Sequence, residues 1–464
     1  MTVVSAFGQR VAGWFQGSAN RRILAAALTV GGLSLVVKLV STLKELAVAY
    51  RFGTGDAVDA FLIAVLIPQL VVNVVAGSLP AAFTPVYIQV RETEGPDSAR
   101  KLLGSTVAAS SVLAIVVGAA LLLMMPVVFH FLAKGFSTDK VALTRTLFFV
   151  LLPMVLFNTI ATMWSAVLNA GERFAVVALL PVCVPLITLA MILGLGPTWG
   201  IYSLTVGTDA GFLIQCVVLG IALKRANLPV MPRWSGVTPE LRRVLFQYLP
   251  MVAGAVLTNS SWTIGQAMAA MLPAGSVASL NYGNKVVSMI TEISTMALAT
   301  ALLPHLSVMV ARHDWSGVQR TTRLFSRSIV LGAVPGVLLL ILASPTIVRL
   351  LFERGAFTAA DTHLVSSIQS LYLLQLPFLM IGIVFVRLAS SLQRNQILLW
   401  GAAITLPVNV ILNLILMRWL GVAGIALATS LVYLVSCVYL VLSANRALTE
   451  VARGAREHLL HSDE

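Results

Sequence analysis

Charge is scarce in this chain of 464 residues. Asp, Glu, Lys and Arg make up 11% of it, where about 25% is usual for a soluble domain. Acids are the rarer sign, 18 against 31 Lys and Arg. The three cysteines, Cys183, Cys216 and Cys437, fall in apolar runs and cannot pair completely. They read as small core residues, which argues against a disulfide framework. The six histidines form no HExxH motif and no close Cys/His set, and no glycine-rich phosphate loop is present. Connections between apolar runs are mostly shorter than about 20 residues, leaving little room for a catalytic domain outside a bilayer. The chain does not read as an enzyme, and it implies no cofactor.

Apolar surface is what the chain has in excess. Hydrophobic residues reach 58% and mean hydropathy is +0.93, which indicates an all-α polytopic membrane protein. The net charge of +13 would suggest nucleic acid for a soluble protein. Here the basic residues cluster in short gaps between apolar runs, so the partners are membrane lipids and nucleic acid is not one. Arg21 and Arg22 precede a run long enough to span, with no small-residue cleavage site after it. Within residues 1–22, Val4, Phe7, Val11, Trp14 and Phe15 lie near one helical face, predicting an interfacial segment.

With about 20 apolar residues per crossing, spans are predicted at 23–43, 58–90, 102–132, 141–169, 175–195 and 202–224, then at 246–273, 277–310, 326–352, 363–392, 397–418 and 421–445. Pro68 and Pro80 are the expected break points of the second. Roughly twenty basic residues fall on the side of the N-terminus and eight opposite, so both termini are expected in the cytoplasm. Leu79-Pro80 recurs as Leu303-Pro304, Pro153 as Pro377, and Gly200-Ile201 as Gly424-Ile425, all at an offset of 224. The expected organisation is an N-terminal segment (1–22), an N-lobe (23–224), a basic linker (225–245), a C-lobe (246–445) and a tail (446–464). Two six-helix lobes of equal topology imply a pseudo-twofold along the membrane normal and a central cavity.

Two spans carry polar stripes. Asn281, Lys285, Ser288, Glu292 and Thr295 hold the i, i+4, i+7, i+11, i+14 spacing of one helical face, and Ser34, Lys38, Ser41 and Glu45 repeat the device in the first span. A charge at mid-bilayer costs roughly 2.5–3.5 kcal/mol on insertion scales, so such stripes are expected to line a hydrated path and mark substrate or ion passage. Lys44, Glu45 and Arg51 lie nearer a span end and read equally well as interfacial anchors. Asp59 reads equally as a helix cap or a functional carboxylate. Lysines in such a cavity attract an anion such as a diphosphate.

At these residues the chain resembles the MurJ/MviN lipid II flippases of the multidrug/oligosaccharidyl-lipid/polysaccharide exporter superfamily. The stretches that carry the resemblance are KLVSTLKELAVAYRFGTGDAVDAFLIAVLIPQL (38–70), AAFTPVYI (81–88), GSVASLNYGNKV (275–286), ATALLPHLS (299–307) and LFERGAFTAADT (351–362). The resemblance implies a bacterial inner-membrane protein that moves an undecaprenyl-diphosphate-linked sugar to the outer leaflet by alternating access. Two arginines of the family's first span correspond to Lys38 and Lys44, its second-span aspartate to Asp59, and its eighth-span arginine to Lys285. Lysine keeps the charge without the bidentate fork of arginine. The family's second-span arginine pair falls near Val72 and Asn73, and its eighth-span glutamate at Ser288, with Glu292 one turn on as a replacement. Twelve spans stand where the family usually has fourteen. For a sodium site like that of some members, Asn409, Asn413 and Thr429 match, while Gly265 takes the acidic position; Na+ and H+ both remain open as coupling ions. The departures keep three other readings in play: an exopolysaccharide repeat-unit flippase, a cation-coupled drug exporter, and a non-transporting membrane scaffold.

Overall fold

A computed structural model of the chain describes residues 19–132 and 136–462, all helical apart from short connections. The predicted interfacial segment lies for the most part outside the described residues. Twelve helical rods succeed one another: α1 (Ala19–Phe52), α2 (Asp56–Thr93), α3 (Pro96–Leu132), α4 (Thr138–Ala170), α5 (Phe174–Trp199), α6 (Ile201–Arg225), α7 (Pro239–Ala269), α8 (Ser276–Ala311), α9 (Trp315–Phe352), α10 (Ala359–Ser391), α11 (Gln396–Leu420) and α12 (Val422–Ser462). Among the described residues, ten are long and apolar enough to cross a membrane, the exceptions being α1 and α7. The rods overrun the predicted spans at their ends because polar turns such as Pro96–Lys101 stay helical beyond the apolar run.

Among the described residues four rods are not continuous, α5 among them through a 3-10 turn at Leu180–Val182. Pro68 and Pro80 sit inside regular helix, and the distortion falls between them, as a π-helical turn over Val72–Ala76. The physical reason is backbone supply. Pro80 has no N–H for the Ala76 carbonyl four residues back, and the chain adjusts just before that point, with the Gly77 N–H reaching the Val72 carbonyl. In α4 the helix stops at Leu151 and restarts at Pro153, where a proline at the first helical position loses nothing. In α10 it stops at Leu373 and restarts at Gln375. Rods four and ten are thus both interrupted.

The chain divides into two compact units. The first comprises residues to Val48 with Ile67–Pro126 and Arg145–Ala255; the second comprises Ala49–Leu66, Val127–Thr144 and the residues from Val256. In the first, Phe83, Tyr87, Leu103, Met163 and Leu241 form a buried core, and Leu168, Cys216, Leu219 and Leu223 form another between α4 and α6. The second is built on Ile63, Leu280, Ile368, Tyr372 and Ile425, and on Leu302, Leu306, Val384, Leu388 and Leu440.

Small residues set a close contact between α5 and α6. A Cβ on Gly211 of α6 would lie 2.6 Å from the Val184 Cα of α5, and one on Gly207 would lie 2.9 Å from the Thr188 Cα. Close backbone approach of this kind is how membrane helices gain packing without a hydrophobic driving force. Gly211→Leu is therefore expected to separate α5 from α6 and destabilise the protein by about 1–3 kcal/mol, the usual cost of overpacking. Gly194→Leu, where nothing lies within 4 Å, serves as the control. Thermal unfolding in detergent checks this; equal stability of both variants would refute the tight seam.

Candidate functional site

Three of the stretches that carry the resemblance meet at one end of the second unit. The segment after α1, the start of α8 and the turn between α9 and α10 are tied by main-chain and side-chain hydrogen bonds. The Ala356 N–H donates to the Tyr50 carbonyl at 2.8 Å, the Tyr282 hydroxyl donates to the Gly53 carbonyl at 3.2 Å, and the Thr54 hydroxyl donates to Asp361. Tyr282, Phe352 and Phe357 close an aromatic cluster beside them, with ring centroids 5.3–5.8 Å apart. Thr358 and Asp361 form a capping box at the start of α10.

Asp59 sits at the centre of this end and is 1% exposed. It caps a helix, but not its own. One carboxylate oxygen accepts the Gly275 N–H at 2.7 Å and the other the Ala278 N–H at 2.8 Å, at the N-terminus of α8. A carboxylate there satisfies orphan donors and meets the positive end of the helix dipole. Gly275 is held at φ +85°, and a Cβ would collide with the Thr54 carbonyl, so glycine is required at this cap.

Lys140, one residue before the span predicted at 141–169, completes the cluster. It is 7% exposed, donating to Asp59 at 2.9 Å and pairing with Asp56 at 2.6 Å, with its ammonium 4.0 Å from the centre of the Phe136 ring. Asp56 and Asp59 share the first turn of α2, the spacing that lets two carboxylates hold one cation. In this arrangement the Asp59 oxygens are occupied by protein donors.

The predicted stripe residues lie on two helices. On α1, Ser34 is exposed and Lys38 half-buried. Lys44 pairs with its neighbour Glu45 at 2.9 Å, and the Ser41 hydroxyl turns back onto the Val37 carbonyl. On α8, Asn281 is tied to Gln266 of α7 at 3.0 Å, the Ser288 hydroxyl donates to the Lys285 carbonyl, Lys285 is half-buried and Glu292 is exposed. Val72 and Asn73 lie in the π turn of α2, where the Gln69 amide donates to Asn73.

Two of the three residues that the resemblance places in a sodium site, Asn409 and Thr429, line a cavity of about 430 Å³ in the second unit, together with Trp262, Tyr372 and Tyr433. Gly265 is part of its wall. Asn413 is fully buried. Its amide donates to Asn409 at 3.0 Å, which occupies that oxygen, and the Thr429 hydroxyl donates to the Ile425 carbonyl. The Asn413 Oδ1 has no hydrogen-bond partner among the described residues. One spare neutral oxygen and a wall without a carboxylate fit a bare cation poorly.

Asp209 on α6 is a further acid that the stripe search passed over. It stands alone rather than in a periodic set, and the signal that finds it is only that it is ionisable inside a span.

A family model described as lipid II flippase MurJ matches residues 48–461. The probable lipid II flippase MurJ of Rhizobium meliloti (strain 1021) is 28% identical over 412 residues, covering 86% of this chain and 76% of that relative. The fold is similar to that of a lipid II flippase MurJ in an inward closed conformation, with a TM-score of 0.79 at 20% identity over 93% of this chain and 92% of that one. It is also similar to an inward-facing multidrug resistance transporter of the MATE family and MOP superfamily, with a TM-score of 0.72 at 13% identity over 91% and 98%.

The buried cluster makes a sharp stability prediction. Removing one partner of a buried pair costs about 3–5 kcal/mol because the other charge is stranded, so Lys140→Ala is expected to lower the unfolding temperature strongly. Asp56→Ala, whose side chain is 57% exposed, is expected to change it little. Unfolding of Lys140→Ala at the wild-type temperature would mean that the cluster carries no weight.

Proposed function

This chain belongs to the MurJ family of membrane transporters, which are not enzymes, and we propose that it translocates a polyprenyl-diphosphate-linked saccharide, lipid II or a close relative, from the inner to the outer leaflet by alternating access. The observation that carries the reading is the pair of lysine-bearing stripes on long helices of a chain with this family's fold. Lys38 and Lys44 on α1 and Lys285 on α8 are each assigned contact with the diphosphate during the cycle. Ser34, Asn281 and Ser288 supply neutral hydrogen bonds to the headgroup, and Glu292 supplies a carboxylate that neutralises a lysine when cargo is absent. Exchange of partners of this kind gives the two states different affinities for cargo, which any ligand-driven switch requires. Asp59 is assigned to the cluster that caps α8 rather than to the headgroup, since its oxygens already serve Lys140, Gly275 and Ala278. The bacterial inner membrane, with both termini cytoplasmic, is the setting that the positive-inside pattern supports.

A second cargo, an exopolysaccharide repeat unit on the same lipid, draws support from Val72, Asn73 and Ser288, neutral where the family carries charge. Loss of ionic contacts points to a headgroup held less tightly or differently substituted. Complementation of a strain depleted of its own MurJ separates the two cargoes: growth supports lipid II, and restoration of a capsule without growth supports the exopolysaccharide.

In proteoliposomes with fluorescent lipid II, Lys38→Ala and Lys285→Ala are each expected to slow translocation about tenfold to a hundredfold, the equivalent of one charge-assisted hydrogen bond of about 1.5–3 kcal/mol. Lys101→Ala, an exposed basic residue elsewhere, is expected to leave the rate unchanged. Wild-type rates in both lysine variants would remove the proposed role.

A further inference from the structure

Charge in the α4–α6 region of the first unit is confined to helix ends, with one exception. Residues 153–170 of α4 and the whole of α5 contain no Asp, Glu, Lys or Arg, and α6 contains Asp209 with Lys224 and Arg225 in its last turn. Asp209 lies about eight residues, roughly 12 Å, inside the start of α6. Its Oδ1 is buried and has no hydrogen-bond partner among the described residues. Lys224 is about 22 Å further along the same helix at 1.5 Å per residue.

The surroundings define what the carboxylate meets. Gly207 and Gly211 press α6 against α5, and Asp209, two residues from each, projects from the opposite side of the helix. There it meets the interruption in α4. The Met154 N–H, freed by the restart of the helix at Pro153, donates to the Asp209 carboxylate. The other titratable groups on the packed elements are Cys183 on α5, with Tyr202 and Cys216 on α6. The Cys216 thiol is engaged with the Phe157 carbonyl at 2.8 Å, and the Tyr202 side chain, in the first turn of α6, is exposed. On the earlier half of α4, Arg145 precedes Met154 by about 13 Å of helix. Arg233, of the segment after α6, lines a groove with Cys216, Gly220 and Lys224 at the far end of the helix.

We propose that Asp209 is a proton-binding site through which this protein couples to a proton gradient, an inference that rests on the transport function proposed above. An acid embedded in a span without a cationic partner marks a proton or ion path by default. The chemistry selects the proton. A metal cation needs several oxygen ligands, whereas one Asp209 oxygen faces an N–H donor, and among the described residues no group of three or more His, Cys, Asp or Glu side chains is placed to hold a metal. A proton needs only the free Oδ1: an O–H bond forms there on uptake and breaks on release, and no other bond changes. The two forms differ in their grip on α4. The ionised carboxylate is attracted to the N-terminus of the Pro153–Ala170 segment and the neutral acid much less so. Since that contact sits at a helix interruption, proton uptake loosens a joint that is already a candidate hinge. The two forms thereby bias two conformations differently, as coupling demands.

Asp209→Asn tests this against a purely structural role, because the amide oxygen still accepts the Met154 N–H but the side chain binds no proton. Infrared titration in nanodiscs is expected to show a protonated-carboxyl stretching band, pH-dependent in the wild type, missing in Asp209→Asn and restored in Asp209→Glu. In proteoliposomes containing fluorescent lipid II, a gradient of about one pH unit, tenfold in proton activity, is expected to change the wild-type and Asp209→Glu rates severalfold and to leave Asp209→Asn at its gradient-free rate. Absence of any band difference at all pH values overturns the site. A band with a wild-type rate indifferent to the gradient overturns the coupling. If wild-type protein moves no lipid at all, the flippase reading fails instead, and the proton site stands or falls on the infrared arm. Should Asp209→Asn not fold, wild-type indifference to the gradient alone refutes the proposal.

Discussion

The cost of holding an ionised side chain in an apolar medium organises this protein. A buried charge must be paired, hydrogen-bonded or functional, and the chain has few charges to spend. Lys140 illustrates the first outcome: it is held by Asp56, Asp59 and an aromatic face, while Asp59 in turn draws two N–H donors from the head of α8. Neutralising Asp59 or Lys140 would strand the other, whereas Asp56 stands largely in the open. Asp209 illustrates the last outcome, an acid that accepts from a backbone donor at an interrupted rod and whose Oδ1 has no hydrogen-bond partner among the described residues.

Backbone hydrogen bonding imposes a second condition, since lipid offers no partner for a free N–H or carbonyl. Proline creates such orphans, and the chain places them where something answers. Near Pro80 the ladder shifts to a π turn. At Pro153 the restarted helix presents its first donors to Asp209. The interruption in α2 shares its rod with Asp56 and Asp59, and that in α4 faces Asp209 on α6.

Much of the architecture was legible in the residues. Apolar runs of spanning length define the rods because the membrane leaves helices as the only economical solution for a chain of this pattern, and stripes such as Asn281–Thr295 follow from the helical period. What was not legible depended on distance in sequence. Asp59 could be recognised as a cap, but its helix begins more than two hundred residues later, and a cap signal names no partner. Lys140 stands just before a predicted span, and nothing local to it is acidic except Asp139; the two aspartates that bury it belong to α2. A break was expected at Pro68 and Pro80, and the π turn lies between them, since the deficit at Pro80 is felt four residues earlier. The matching amides Asn409 and Asn413 were readable as a site, whereas their bond to each other, which takes up one of the two oxygens, required coordinates.

The central claim is that lysines on α1 and α8 recognise a diphosphate, with the lipid tail and sugar secondary. Competitive binding of three ligands to purified protein in nanodiscs, followed by native mass spectrometry, tests it most directly: undecaprenyl diphosphate, undecaprenyl monophosphate and uncharged undecaprenol. The account predicts the order diphosphate, monophosphate, alcohol, with the preference weakening as salt is raised because exposed ionic contacts are screened. Equal binding of the alcohol and the diphosphate, at any salt concentration, would contradict it.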